Sequence, residues 1–407
     1  MKKQLKFYIF GSLLFLLFLE LLLQFYFYLR HNSFLLFTDS KKNNIQQTFN
    51  PSGSTLHPYL GYVLRKGRTG EYFSKKWVVN NSGFHNLTIN NTDYYPYYPK
   101  QDEIIVGIFG GSVAAGLALF SQGNNLLKEK IKDSFPIYEN KKIKILNFSL
   151  PGFKQPQQLL TLIYFLQNNQ HFDIIINLDG FNEAVTGFKN FEDTLDLSMP
   201  ANQLWSKFGN SNLRVDQDMK VHLKRFLELK NHHIQKSLKK HNIAILYYIN
   251  KLKILYNSQR IKTLNSYINL PEKKILFPKS FLQEKVNSDN LYEKISSLWF
   301  YGSKLMNDIC NLNNIKYFHF LQPNQWLAIN SEIFIPFDAN HQYKWVKKPV
   351  DEGYKKFVSN EFFFKENNII FKDLTFIFDG KINQQIYSDD CCHLTQKGNE
   401  ILIKNFF

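Results

Sequence analysis

Residues 108–116 read Ile-Phe-Gly-Gly-Ser-Val-Ala-Ala-Gly and continue the apolar run Ile104–Phe109. This run is short and rich in β-branched residues, and a glycine pair bounds it, which is typical of a strand buried on both faces. The two consecutive glycines predict a tight turn, after which residues 113–132 are predicted to form a helix. Ser112 is therefore expected at the carboxyl end of a strand, where open α/β sheets assemble their sites.

The rest of the chain continues this alternation of apolar strands and helical segments. Further strands are predicted at Lys142–Phe148, Asp173–Leu178 and Ile315–Leu321 and within Ile369–Phe378, and further helices at Gln155–Asn168 and Thr395–Phe407. Strands that alternate with helices predict a parallel sheet that is covered on both faces. We therefore expect a three-layer α/β/α fold with a flavodoxin-like parallel sheet.

The N-terminal segment is predicted to cross a membrane. Leu5–Leu29 is almost wholly apolar, with Lys2, Lys3 and Lys6 at its N-terminal end. As a helix it would be roughly 37 Å long, against a hydrocarbon core of about 30 Å. A cleaved signal peptide is the alternative, but no small-x-small cleavage motif follows. We favour a retained signal anchor with its lysines in the cytoplasm and the rest of the chain outside. Glu20 and Gln24 share one helix face, either as a tolerated polar pair near the outer interface or as a contact with another membrane helix.

Composition changes along the chain predict its organisation. We expect a cytoplasmic tip and transmembrane anchor at residues 1–30, a polar stalk at 31–56, a small β-rich segment at 57–102 and the main domain at 103–407. The main domain is interrupted at about 215–300 by long, basic, helix-like stretches, which we interpret as an insertion between strands.

Charge and glycine patterns argue against several classes of protein. The net charge is +16, but there is no zinc-finger spacing, basic heptad region or RNP-like motif, so no nucleic-acid partner is predicted. The charge favours a solvated surface, with attraction to acidic lipid headgroups or an anionic polysaccharide as a second interpretation. Gly111 and Gly116 have P-loop separation, but Leu117-Ala118 stands where a P-loop needs Lys-Ser/Thr, and GxGxxG is absent. No cofactor is therefore expected.

The three cysteines, Cys310, Cys391 and Cys392, are too few for a disulfide framework. Two of them lie in Asp389-Asp390-Cys391-Cys392-His393. Neighbours on an extended loop point to opposite sides, and no CxxC or HxxxH elsewhere completes a ligand shell. No metal site is therefore expected here.

Three further motifs accompany Ser112 at predicted strand ends. Gly152 follows the second strand, Asn182 follows the third, and Asp390 and His393 precede the terminal helix. A nucleophilic serine needs a base to take its proton, and that base needs an anion to hold its tautomer. This set of residues predicts acyl-transfer or ester-cleavage chemistry.

In this order the segments resemble the SGNH (GDSL-type) hydrolase family over about residues 103–407. The resemblance implies that Ser112 is the nucleophile, His393 the general base and Asp390 the carboxylate that orients the imidazole. It also implies an oxyanion hole formed by the N–H groups of Ser112 and Gly152 and by the side chain of Asn182.

Two features of this sequence depart from that family's pattern or leave it open. Gly111 stands where the family usually has aspartate, and Cys391-Cys392 fills the interior of the Asp-x-x-His motif. Asp389 is an alternative partner for His393, although the three-residue spacing favours Asp390. His319 is interpreted as a surface or core histidine rather than a catalytic one.

These expectations combine into a membrane-anchored serine esterase that removes an acyl group from an extracytoplasmic glycan or lipid. One alternative is an O-acyltransferase that modifies a cell-surface polysaccharide with the same triad. Because a single span cannot move an acyl donor across the membrane, that function would need a multi-pass partner. The other alternative is a non-catalytic assembly or binding factor that keeps only the fold.

Overall fold

The computed structural model describes residues 2–31, 34–37, 53–88, 94–193, 195–201, 215–238, 243–268, 285–327, 344–379, 385–389 and 391–407. The chain divides into two units, Met1–Ser52 with Gly209–Lys274 and Gly53–Phe208 with Ile275–Phe407.

A five-stranded parallel sheet forms the centre of the larger unit. Its strands in chain order are Glu103–Gly110, Lys142–Asn147, Ile174–Asp179, Lys316–Leu321 and Ile370–Asp373. Their spatial order is 2-1-3-4-5, which is the flavodoxin-like order. The third strand is buried throughout, and the first and fourth are buried except at their first residues, because helices cover both faces. The predicted flavodoxin-like α/β fold is confirmed.

Two groups of helices flank this sheet. One group contains Ser112–Gly123, Leu126–Ser134 and Gln396–Lys404, and the other contains Gln157–Gln167, Phe181–Glu192, Leu291–Leu312 and Lys347–Ser359. A short helix, Glu361–Glu366, precedes the last strand. The helix predicted at 113–132 is two helices, because Asn124 ends the first one. Its amide donates to the Phe120 carbonyl at 2.8 Å, and its oxygen accepts from the Leu126 N–H at 3.0 Å.

Short antiparallel strands precede the parallel sheet. Ser54–His57 pairs with Gly61–Leu64, and Thr69–Tyr72, Lys75–Val79 and His85–Leu87 form a three-stranded sheet. The buried Tyr62 hydroxyl donates to the Pro151 carbonyl at 2.7 Å. This hydrogen bond joins the first hairpin to the loop that carries Gly152.

The smaller unit is helical in its described part, with helices Lys2–His31, Val215–Leu238 and Ala244–Ile268. Among the described residues, one helix, Phe7–Arg30, is long enough and apolar enough to cross a membrane. The Glu20 carboxylate accepts hydrogen bonds from the N–H groups of Ala244 at 2.5 Å and Ile245 at 2.7 Å. It also accepts one from the Gln24 amide at 2.9 Å. Glu20 therefore satisfies the first free amides of the helix Ala244–Ile268.

Candidate active site

Ser112 begins a helix directly after the first strand of the parallel sheet. The turn requires glycine at position 110, where φ is +137° and a Cβ would lie 2.0 Å from the Leu178 carbonyl oxygen. The first strand can therefore pass close to the third and then reverse sharply. Ser112 is left half-buried at the carboxyl end of the sheet.

Asn182 lies against this turn from the end of the third strand. A Cβ on Gly111 would be only 2.2 Å from the Asn182 amide nitrogen. That nitrogen donates to the Phe153 carbonyl at 2.8 Å, in the loop after the second strand. Because glycine has no side chain, position 111 leaves room for the Asn182 amide. This is a physical reason for glycine at this position.

Gly152 occupies a β-turn between Leu150 and Phe153. The Phe153 N–H donates to the Leu150 carbonyl at 3.1 Å, and Pro151 and Gly152 are the central residues. Gly152 has φ +77°, as the third residue of a type II turn requires. The sequence Pro-Gly thus fixes the backbone of the loop in which an oxyanion-hole donor is predicted.

Glu183 connects two of these loops, and sequence reasoning did not identify this role. Its carboxylate accepts hydrogen bonds from the Gly180 N–H at 2.9 Å, the Gln155 N–H at 3.1 Å and the Gln158 amide at 3.0 Å. Burial, together with the nearby Asp179 carboxylate, raises the pKa of Glu183 to about 8. A glutamate three residues after the helix cap is a capping-box signal in a sequence. The hydrogen bonds of Glu183 to the loop after the second strand have no comparable sequence signal.

His393 is paired with Asp389. The imidazole Nδ1 and the Asp389 carboxylate are hydrogen-bonded. The other carboxylate oxygen accepts from the backbone N–H groups of Cys391 at 3.0 Å, Cys392 at 3.0 Å and His393 at 3.2 Å. Partial burial raises the pKa of Asp389, but the hydrogen bond and charge of His393 and these amides outweigh it and lower the pKa to about 2. Asp389 is therefore ionised at neutral pH. The predicted partner, Asp390, lies outside the described residues.

The loop after the fourth strand supports the histidine loop. The Gln325 amide donates to the Asp389 carbonyl at 2.8 Å, and the Trp326 indole donates to the Cys391 carbonyl at 3.0 Å. These two bonds fix the backbone on both sides of residue 390. Neither residue was singled out from the sequence, because a hydrogen bond to a backbone carbonyl has no sequence signature.

The Cys392 thiol lies near Ser112. The Ser112 side chain is among the neighbours that influence the pKa of this thiol. The Cys391 and Cys392 sulfurs are 2.8 Å apart, and a His393 ring nitrogen lies within 4.8 Å of both. Burial raises the pKa of the Cys392 thiol well above its usual value. Among the described residues, no hydrogen bond joins Ser112 directly to His393.

The structure therefore brings together Ser112, Asn182 and the loop of Gly152, and Cys392, which precedes His393, lies near Ser112. Ser112, Gly152, Asn182 and His393 are each partly exposed, so a substrate in solution can reach them. This accessibility distinguishes them from a second set of hydroxyl, imidazole and carboxylate in the core.

That second set is Ser303, His319 and Asp179. The imidazole bonds the Ser303 hydroxyl through Nδ1 at 2.7 Å and the Asp179 carboxylate through Nε2 at 2.8 Å. Their relative exposures are 0%, 0% and 2%, so no substrate reaches them. His319 is a hydrogen-bonded core histidine, in agreement with its sequence interpretation.

Comparison with known proteins gives no family assignment. No family model matches the chain, and no curated protein matches it. Among solved structures, it is similar to a GDSL-like lipase from Bacteroides thetaiotaomicron, with 13% identity and a TM-score of 0.31 over 78% of this chain and 91% of that one. Similarity at this level carries no argument about activity, which therefore depends on the residues themselves.

Proposed function

We propose that the protein is a serine esterase of the SGNH type. One observation carries this proposal. A half-buried serine at the flavodoxin-like switch point lies near the loop that holds a paired histidine and carboxylate. Sites in open α/β sheets form at this edge, where the strand order reverses. The motif resemblance supports the same conclusion independently of any single contact.

The proposed reaction proceeds through an acyl-enzyme. His393 Nε2 takes the Ser112 proton while Oγ attacks the acyl carbonyl carbon, and collapse of the tetrahedral intermediate releases the alcohol, which receives that proton. Water then attacks the acyl-enzyme with His393 again as base, and the acid and free Ser112 result. The Ser112 hydroxyl must first form a hydrogen bond to His393 Nε2.

The oxyanion would be held by the Ser112 and Gly152 N–H groups and the Asn182 amide. Asn182 supports this role because its amide lies beside the Ser112 turn, against Gly111. The bond from this amide to the Phe153 carbonyl sets the orientation of the side chain. Each donor aimed at a developing oxyanion contributes about 3–4 kcal/mol.

Asp389 is the carboxylate that we assign to the triad, in place of the Asp390 expected from the family spacing. Its carboxylate is hydrogen-bonded to Nδ1, so Nε2 is left as the basic nitrogen. Its other oxygen is fixed by three backbone amides. Such a carboxylate can orient the imidazole and stabilise the imidazolium that forms.

The N-terminal helix suggests where the enzyme works. A helix of 24 apolar-rich residues, Phe7–Arg30, with side chains such as Phe10 and Phe18 exposed, would be covered by a bilayer. We propose that it is a signal anchor and that the esterase acts outside the cytoplasm on an acylated surface glycan or lipid. An acyltransferase would use the same acyl-enzyme but pass the acyl group to a sugar hydroxyl. A multi-pass membrane partner would supply the acyl donor.

Fluorophosphonate labelling of the purified full chain in detergent tests the proposal. We expect labelling of the wild type, no labelling of Ser112→Ala, and normal labelling of Ser359→Ala, which removes an exposed hydroxyl far along the chain. Labelling that persists in Ser112→Ala contradicts the assignment of the nucleophile. In cells, more acyl on the surface glycan of the Ser112→Ala strain indicates an esterase, and less indicates a transferase.

A further inference from the structure

Three metal-ligating side chains converge beside Ser112. The sulfurs of Cys391 and Cys392 and a ring nitrogen of His393 all lie within 4.8 Å of one another. This corrects the expectation that neighbours in this loop point apart. The loop is not extended, because one Asp389 oxygen accepts three successive backbone N–H groups, which curls residues 391–393 around it. Side chains that alternate on a strand therefore gather on one side here.

We propose that Cys391, Cys392 and His393 form a binding site for a thiophilic divalent cation, with Zn²⁺ as the model ion. Two thiolates and one imidazole are a donor set that zinc prefers. Bonds of about 2.3 Å to sulfur and 2.0–2.1 Å to nitrogen place tetrahedral ligand atoms roughly 3.4–3.8 Å from each other. The three atoms already lie close to that spacing, and the half-exposed Cys391 side chain can turn to widen the sulfur–sulfur distance of 2.8 Å.

Asp389 gives this site a second observation in its favour. Metal-binding histidines usually donate their other ring N–H to a carboxylate, which fixes the tautomer and strengthens the ligand. His393 has this arrangement, with Nδ1 bonded to Asp389, so Nε2 is the nitrogen that binds the ion. Binding replaces two thiol protons by the metal and releases both to solvent, so that the bound ion and two thiolates are neutral together.

Occupation of this site would inhibit the esterase, a consequence that rests on the proposed function. The Nε2 lone pair that bonds the metal is the one that must accept the Ser112 proton. The Cys392 thiol, which lies near the Ser112 side chain, would also become a metal-bound thiolate. We expect a reversible metal switch on acylation, in which the ion competes with general-base catalysis for one nitrogen.

Cobalt substitution tests the metal site without reference to activity. Co²⁺ added to the full chain should give a thiolate charge-transfer band and tetrahedral ligand-field bands, both displaced by Zn²⁺. Cys391→Ser and Cys392→Ser should lose the charge-transfer intensity of one thiolate each and bind far more weakly. Cys310→Ser, which changes a buried cysteine elsewhere, is the matched control and should retain the full spectrum. Asp389→Asn should weaken binding by about 10–100-fold.

Three results would overturn the metal site. These are an unchanged cobalt spectrum in Cys391→Ser and Cys392→Ser, loss of the spectrum in Cys310→Ser, and a thiol count of one in denatured protein purified without reductant. The last result would mean that a disulfide joins two of the three cysteines, so that at least one of the two sulfur ligands is not a free thiol. Three free thiols are expected.

Labelling separates the inhibitory role from the proposed function. Saturating Zn²⁺ should slow fluorophosphonate labelling of Ser112 at least tenfold, and a chelator should restore it; in Cys391→Ser the same Zn²⁺ should have little effect relative to chelator. Equal labelling of wild type with and without bound Zn²⁺ overturns the switch. Absence of labelling even in chelator refutes the esterase instead, while the cobalt spectra still decide whether the cation site exists.

Discussion

Gly111→Ala should disable the site through Asn182. The new Cβ would lie 2.2 Å from the Asn182 amide nitrogen, whereas ordinary contacts begin near 3.4 Å, so the amide must retreat by about 1.2 Å. The amide would then leave its 2.8 Å hydrogen bond to the Phe153 carbonyl. It would also leave the position from which it can reach the oxyanion. Loss of one such donor costs about 10²–10³ in the rate of acylation.

The fold itself should survive this substitution. Position 111 has φ −87°, which alanine adopts without strain, and replacing glycine there lowers the entropy of the unfolded chain by an equivalent of about 0.4–1 kcal/mol. Thermal unfolding should therefore change little while the rate of fluorophosphonate labelling drops. A large loss of stability would instead mean that the clash disturbs the core.

A double-mutant cycle distinguishes this mechanism from a general disturbance of the turn. If Gly111→Ala acts by displacing Asn182, it should add almost nothing in an Asn182→Ala background, because the displaced amide is already gone. The same fold loss from Gly111→Ala in both backgrounds would refute the reasoning, as would a Gly111→Ala protein that labels at the wild-type rate.

Four further substitutions probe other parts of the structure. Asp389→Asn should lower the labelling rate by about 10³–10⁴-fold, because the new NH₂ group would hold the imidazole in the wrong tautomer. Asp390→Asn should change that rate only a few-fold. If Asp390→Asn has the larger effect instead, Asp390 is the triad carboxylate, as the family spacing implies. The pKa of Glu183 in the folded protein is raised to about 8 from 4.5. The contribution of this group to the free energy of unfolding is therefore complete below pH 4.5 and is lost as pH rises through 8. In urea unfolding, Glu183→Gln should not show this loss of stability with rising pH. An identical pH dependence of the free energy of unfolding in the wild type and the variant contradicts the prediction. Glu20→Ala should speed hydrogen exchange at the N–H groups of residues 244 and 245, and unchanged exchange would mean that the carboxylate does not cap this helix.

The strands of the central sheet follow from sequence because burial imposes a pattern. A strand covered on both faces must be continuously apolar, as Ile174–Leu178 is, and such runs are visible in one sequence. The Gly-Gly-Ser turn is visible for a related reason, since only glycine fits at 110. These features leave a signal in the residue types of a short stretch of sequence.

The histidine loop could not be predicted in the same way. Its conformation is set by one Asp389 oxygen that accepts three amides, and by Gln325 and Trp326 from a distant segment. A family spacing of three residues pointed to Asp390, which lies outside the described residues, and among the described residues Asp389 is hydrogen-bonded to His393. The same curled backbone brings Cys391 and Cys392 close to His393. In an extended chain, neighbouring side chains would point to opposite sides.

The structure of a phosphonate adduct tests the proposed chemistry most directly. We expect a bond from Ser112 Oγ to phosphorus, with the phosphoryl oxygen about 2.7–3.1 Å from the Gly152 N–H and the Asn182 amide nitrogens, and His393 Nε2 turned towards Oγ. An adduct on another residue, or a phosphoryl oxygen directed away from both donors, would contradict the assignment of this rim as an esterase site.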